Sequence, residues 1–192
     1  MSRLNAFVHV SIDGFFAGPH GEIDWFKQIR KDDEYERFTQ DSASGGSTLV
    51  MGRKTYDMMK GYWPTPQARE QDPKMAEVMT RSPKIVFSRT LKGTPDEPNW
   101  KSTRVVHEID PGEVRKLKDA SRDLTILGSG SVLQQLTNLG LVDEYGLVVV
   151  PIVLGRGRRL FEDVKETSLR LVESRGFRNG LTLLRYGANG RA

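Results

Sequence analysis

Three short apolar runs in this chain each end in residues that can hold an anion. Leu49-Val50-Met51 runs into Gly52-Arg53-Lys54-Thr55, Ile85-Val86-Phe87 into Ser88-Arg89-Thr90, and Ile126-Leu127 into Gly128-Ser129-Gly130-Ser131. Gly52 lets a ligand approach the backbone closely. Arg53, Lys54 and Arg89 bring cations to a helix start or strand end. A cation at a helix N-terminus opposes the macrodipole, and a bound phosphate would offset that. Thr55, Ser88, Thr90, Ser129 and Ser131 offer hydroxyls, and Gly128 and Gly130 expose backbone N–H groups where a helix begins. Alone, Gly128-Ser129-Gly130 matches an ordinary strand-to-helix turn. The full dinucleotide fingerprint needs a glycine where Leu133 stands, and there is no Walker A sequence. Together the loops gain meaning, because parallel strands would bring their ends to one sheet edge, where α/β proteins bind ligands.

The elements that must position these loops follow from periodicity. Alternation of Leu4, Ala6, Val8 and Val10 makes residues 3–11 a half-buried strand. Asp13-Gly14 and Gly18-Pro19 break the chain, and residues 32–41 read as a helix. Strands follow at 47–51 and 84–88, with a helical turn from Thr55 to Lys60. The Pro-rich segment 61–83 reads as an irregular loop with a short helix at 73–80. Val105-Val106 marks a further strand. Asp110-Pro111-Gly112-Glu113 combines a cap, a first-turn proline and an acid, and so starts a helix over 111–120. A strand at 124–127, a helix at 131–139 stopped by Gly140, and a strand at 144–150 ended by Pro151 come next. Leu169–Ser174 and Leu181–Tyr186 form a hairpin around Asn179-Gly180. The pattern predicts a three-layer α/β fold, its central sheet mostly parallel with an antiparallel C-terminal hairpin.

Composition narrows the function. The 192 residues fit one domain over 1–192, with 37% apolar and 28% charged residues. The absence of cysteine excludes disulfides, thiolate metal sites and thiol nucleophiles. His9, His20 and His107 lack metal-ligand spacing, so no metal is expected. No apolar run approaches the length of a membrane span, and the N-terminus lacks signal-peptide order. The expectation is a cytoplasmic protein with no membrane partner. The net charge of +4 suits an anionic ligand. Arg156-Gly157-Arg158-Arg159 is too short a basic footprint for nucleic acid and reads as a basic loop.

The loops resemble a family. Residues 50–56 (VMGRKTY) look like the cofactor loop of dihydrofolate reductases, and 85–90 (IVFSRT) and 126–132 (ILGSGSV) follow in the same order at similar intervals. Residues 9–17 (HVSIDGFFA) and 144–161 resemble the first strand and the late strand and loop of the related reductase domain of riboflavin biosynthesis. The chain is similar throughout to the dihydrofolate-reductase-like, riboflavin biosynthesis reductase C-terminal domain superfamily. That resemblance implies an NADPH-dependent reductase with this fold and a homodimer, for which the apolar segment 145–154 offers a surface. It implies that Gly52, Arg53, Lys54 and Thr55 hold the adenosine and pyrophosphate part, with Arg53, Lys54 and Arg89 toward the ribose 2′-phosphate. Ser88 and Thr90 flank the adenine end. Leu127, Gly128, Ser129, Gly130, Ser131, Val132 and Leu133 meet the pyrophosphate, and Phe16 and Ala17 face the nicotinamide.

Hydride transfer asks little of the protein beyond orientation, exclusion of water and a proton source. Glu34, near the start of the helix at 32–41, and Asp24, beside Trp25-Phe26, are the candidate acids. His9 reads as a strand residue rather than an acid–base group. The departures lie on the substrate side. Phe7 stands where riboflavin reductases carry a lysine, Leu127-Gly128 where they carry an acid, and the Pro-Trp pair of dihydrofolate reductases is missing. The expectation is a reductase of a small heterocycle, pterin- or pyrimidine-like. The alternatives are a nucleotide-binding module without turnover, or a 5-amino-6-(5-phosphoribosylamino)uracil reductase.

Overall fold

A computed structural model describes residues 2–25, 29–93, 99–100, 102–120 and 122–189. Its core is an eight-stranded sheet in the order β5-β4-β3-β6-β1-β7-β10-β9. The strands are β1 (Leu4–Ser11), β3 (Thr48–Gly52), β4 (Lys84–Phe87), β5 (Thr103–Val106), β6 (Leu124–Leu127), β7 (Glu144–Val150), β9 (Leu169–Gly176) and β10 (Thr182–Ala188). Pairing is parallel from β5 through β7, while β10 runs antiparallel to both β7 and β9. This is the expected three-layer arrangement.

One face of the sheet packs under α5 (Pro111–Ala120) and α6 (Gly130–Asn138). Leu4, Ala6, Val8, Val50 and Ile126 meet Val114, Leu117, Val132, Leu133 and Leu136 there. The other face carries α1 (Asp33–Ser44), α2 (Arg53–Tyr62) and α4 (Pro73–Arg81) over two separate apolar clusters. One gathers Val148, Val150 and Leu183 with Tyr35, Phe38 and Phe177; the other gathers Leu49, Met51 and Val86 with Tyr56, Met59 and Met79. Apolar side chains alternate along β1, so its even residues feed the first core while Phe7 looks to the other face.

The cap expected at Asp110 is present, and α1 carries one at Asp32. The Asp32 carboxylate accepts from the N–H groups of Glu34 and Tyr35, and Asp110 accepts from Glu113 N–H at 2.9 Å. Gly180 sits at φ +87° in the hairpin turn, a conformation that glycine adopts without steric cost.

Within the segment 61–83 the short helix expected at 73–80 is present as α4 (Pro73–Arg81), but the remainder is more helical than expected. Helix α2 already begins at Arg53 and continues to Tyr62, and α3 (Pro66–Gln71) and α4 fill most of the rest. The prolines read as breakers, yet Pro66 and Pro73 occupy first-turn positions behind the capping side chains of Thr65 and Asp72. A proline there gives up only an N–H that has no helical partner.

Lys84 is a further surprise at the start of a buried strand. Its ammonium donates to the carbonyls of Thr80 (3.0 Å) and Ser82 (2.7 Å) and lies 4.2 Å from the Trp100 ring centre. Burial lowers its pKa to about 8. The carbonyl end of α4 and an aromatic face thus take the place of water around the charge.

Two further strands lie outside the main sheet. β2 (Phe15–Ala17) pairs antiparallel with β8 (Arg158–Arg159), turning the expected basic loop into a short ladder against the first loop. Asp13 joins these segments, accepting from Ser11 Oγ (2.6 Å), Leu154 N–H (3.1 Å) and Gly155 N–H (2.7 Å). These bonds hold its carboxyl at about 2, below the ordinary value. Strand β7 lies inside the sheet with Tyr145, Val148 and Val150 buried and Leu147 and Val149 partly buried, while Val153 beyond them is exposed. Among the described residues, no helix is long and apolar enough to cross a membrane.

Candidate cofactor and substrate cleft

A cleft of about 1510 Å³ opens at the carboxyl ends of β3, β4 and β6 and continues beneath α1. Because β4, β3 and β6 are parallel neighbours, their three loops meet at one edge. The β3 and β6 loops are bonded together. Gly52 N–H donates to Ser129 Oγ at 2.9 Å, and the same hydroxyl donates to Thr55 Oγ1 at 2.8 Å. The N-termini of α2 and α6 therefore converge. Neither has a side-chain cap bond or an acid in its first turn, so their N–H groups and partial positive charge face the cleft without a local anion.

The cations sit around this point. Arg53 and Lys54 open α2 and are exposed, and Arg89 is exposed after β4. Arg53 is partly engaged by Asp57 at 2.6 Å. Ser88 is buried, and its hydroxyl accepts from the N–H groups of Thr90 (3.3 Å) and Leu91 (3.1 Å), which shapes the loop. His107 Nδ1 lies 2.9 Å from the Ser88 carbonyl. Gly52, Arg53, Lys54, Thr55, Ser88, Arg89, Thr90, Leu127, Gly128, Ser129, Gly130, Ser131 and Val132 all line the cleft. Leu133 is fully buried in the core and does not. It lies about one turn deeper along α6 than Gly130, where the helix packs into the core.

The first loop closes over this region. Phe16 and Ala17 line the cleft from β2, and the Phe16 ring rests on Gly130 so closely that a Cβ there would lie 2.4 Å from it. Arg158 and Arg159 line the cleft from the β8 side, and Arg159 lies 4.8 Å from the Phe15 ring centre. Sequence reasoning missed their place. A two-residue strand has no period, and only the pairing with β2 turns them inward.

Beneath α1 the wall becomes aromatic. Phe7 and His9 rise from β1, and Tyr35 and Phe38 descend from α1. Phe7 meets His9 edge-on at 5.7 Å and Phe38 at 6.5 Å. Asn5 and Thr125 lie farther along the floor, and Thr125 donates to Ser47 Oγ at 2.9 Å. His9 Nε2 is 2.5 Å from the Tyr35 hydroxyl. Burial lowers the pKa of His9 to about 4 and raises that of Tyr35, so both are neutral near pH 7.

The two acids expected from sequence stand elsewhere. Asp24 is exposed, and Phe26 beside it lies outside the described residues. Glu34 points to β9, where it pairs with Arg175 at 2.6 Å; that guanidinium also covers the rings of Phe38 and Phe177. Neither acid lines the cleft. The helix was read correctly, but Glu34 lies one position before Tyr35, and a step of one residue turns a side chain about 100° around the axis.

The chain matches the RibD C-terminal domain family over residues 3–183. It is 31% identical over 189 residues to the uncharacterised protein YyaP of Bacillus subtilis (strain 168), covering 98% of this chain and 96% of that protein. The uncharacterised protein YwjB of the same organism is 28% identical over 181 residues, covering 92% and 93%. The fold is that of the crystal structure of a candidate riboflavin biosynthesis protein from Shewanella sp. PV-4, with a TM-score of 0.79, 22% identity and coverage of 98% and 99%. From the ordered loops, their meeting at one sheet edge and these matches, the chain is a member of the RibD C-terminal domain family.

Proposed function

We propose that this protein is an NADPH-dependent reductase of a small, flat heterocycle of the pterin or pyrimidine kind. The observation that carries the reading is the convergence of the α2 and α6 N-termini on the Gly52–Ser129 bond, ringed by Arg53, Lys54 and Arg89. The donor set fits a dinucleotide phosphate. Uncapped N–H groups at Gly130 and Ser131 suit a pyrophosphate, and the exposed cations suit a ribose 2′-phosphate.

In this reading Gly52 to Thr55 and Leu127 to Val132 hold the phosphates, while Ser88, Arg89 and Thr90 frame the adenine end. Phe16 and Ala17 cover the nicotinamide and keep water from it. When bound, the reduced nicotinamide supplies the hydride. Phe7, His9, Tyr35 and Phe38 orient the ring that receives it. Titration of the pure protein with NADPH and NADH tests the reading. Tighter binding of NADPH is expected, and equal affinity or no binding overturns it.

A second reading, a nucleotide-binding module without turnover, is favoured by one observation: Asp24 and Glu34 lie off the cleft. NADPH consumption with a pterin, quinone or nitro compound separates the two. The phosphoribosylaminouracil reductase reading is disfavoured by Phe7, which lines the cleft at the position where riboflavin reductases carry a lysine. A homodimer belongs to the proposal and is measured by light scattering.

A further inference from the structure

The substrate half of the cleft holds a hydrogen-bonded pair that the sequence did not assign to chemistry. His9 is on β1 and Tyr35 on α1, 26 residues apart in sequence, and their polar atoms meet at 2.5 Å. Both line the cleft. Their place along the strand is fixed by register. Phe7 is the partner of Leu127, the residue before the Gly128-Ser129-Gly130 turn. His9 stands two residues farther on the same face, about 7 Å along the strand, and so is level with that turn. The pair therefore lies where the substrate and nicotinamide halves of the cleft meet.

The rings around the pair fix its orientation. Tyr35 packs edge-on against Phe177 at 5.0 Å, and His9 against Phe7 at 5.7 Å. At the first turn of α1, the Asp32 cap holds Tyr35 N–H at 3.0 Å. The hydroxyl thus reaches its position from a capped helix and a packed ring, as a group preorganised for proton transfer would.

Resting on the reductase reading above, we propose that Tyr35 is the proton donor of this site and that His9 is its positioning residue. In this arrangement His9 carries its ring proton on Nε2 and donates it to Tyr35 Oη. The Tyr35 O–H is then directed at the substrate heteroatom. As the adjoining carbon takes hydride from the reduced nicotinamide, the substrate C=N or C=O π bond breaks and its electron pair moves to the heteroatom. The Tyr35 O–H bond breaks and its proton passes to that heteroatom. The phenolate left behind is held by the His9 Nε2–H and is reprotonated by water. A developing amide or alkoxide anion is a stronger base than a phenolate, so the transfer runs downhill even with the Tyr35 pKa raised by burial. Neutral His9 carries a single ring proton, which makes its tautomer the deciding feature.

The proposal is tested first without turnover. Heteronuclear NMR of the histidine ring nitrogens is expected to show His9 protonated at Nε2; protonation at Nδ1 alone would reverse the bond and overturn the assignment. Kinetics with a dihydropterin as the probe follow. Tyr35→Phe is expected to lower kcat about 100-fold with the NADPH Kd unchanged. His9→Gln, whose amide N–H can replace Nε2–H, is expected to keep much more activity than His9→Leu. Undiminished turnover in Tyr35→Phe, or a wild type that binds NADPH but never reduces the dihydropterin, overturns the proposal. Failure of the wild type to bind NADPH sinks the underlying reductase reading instead, and the His9 tautomer still reports on the pair.

Discussion

The ring of Phe16 rests on Gly130: a Cβ at that glycine would come within 2.4 Å of Phe16 Cε1 and Cζ. This contact joins the first loop to the N-terminus of α6 and fixes the height of the cleft roof. A methyl group there must push the ring aside. Gly130 is the first residue of α6, so Gly130→Ala gains less than the roughly 1 kcal/mol of an interior position, which offsets only a small part of the strain. The variant is therefore expected to stay folded in thermal melts while its NADPH affinity falls about tenfold or more, a loss of about 1.4 kcal/mol. Unchanged affinity would show that the roof does not touch the cofactor.

Ser129 joins two loops through one oxygen, to Gly52 N–H and to Thr55 Oγ1. Ser129→Ala leaves the Gly52 N–H without its partner and should cost about 1–2 kcal/mol in urea unfolding. NADPH binding should weaken as well, because the α2 and α6 N-termini lose their mutual alignment. A stable variant with normal affinity would show that the bond is incidental.

The cations should divide the two cofactors. Arg53 is already engaged by Asp57, whereas Lys54 and Arg89 stand exposed at the mouth. Replacing both Lys54 and Arg89 with alanine is expected to weaken NADPH about 10- to 100-fold and NADH little, since a hydrogen bond to a charged group contributes about 1.5–3 kcal/mol. Raising the salt concentration should erode the same preference. Equal losses for both cofactors would place the 2′-phosphate elsewhere.

Acid sensitivity should report the half-buried His9 imidazole. His9 takes up a proton near pH 4 in the folded chain and near its ordinary 6.5 when unfolded. Between these values the unfolded state binds a proton that the folded state does not, so stability declines as the pH drops from 6.5 to 4. His9→Leu should flatten that part of the curve of melting temperature against pH. Identical slopes in wild type and variant would mean that His9 titrates in the folded chain as it does in the unfolded one.

Glu34 is bonded to Arg175 at a half-exposed site, away from the cleft. Glu34→Gln should therefore cost less than about 1 kcal/mol in stability and leave dihydropterin turnover within a factor of about two. A large fall in kcat would return this carboxylate to the chemistry and remove Tyr35 from it.

The strands and the loops that end them were legible because each carries its own signal. Alternation along Leu4–Val10, apolar runs before Gly52 and Gly128, and Asn179-Gly180 are local patterns with local causes. The short helix at Pro73 was anticipated, whereas the helix at Pro66 was obscured because proline reads as a breaker until its capping residue, Thr65, is placed one step before it. The β2–β8 ladder left no trace, since strands of three and two residues have no period to detect.

By itself, the sequence determined the strands of the main sheet and the loops that end them, residue types suited to an anion at Gly52–Thr55, Ser88–Thr90 and Leu127–Val132, and the family resemblance. Those properties reside in contiguous residues. Only the tertiary structure decided which groups face each other across the aromatic half of the cleft. Glu34 and Tyr35 are adjacent in the chain, but the helix turns one toward Arg175 and the other onto His9, 26 residues away. Parallel pairing of β6 with β1 then sets that histidine level with the Gly128-Ser129-Gly130 turn. Rotation about a helix axis and register between strands relate distant residues, and residue type and spacing along a single strand or helix do not contain them.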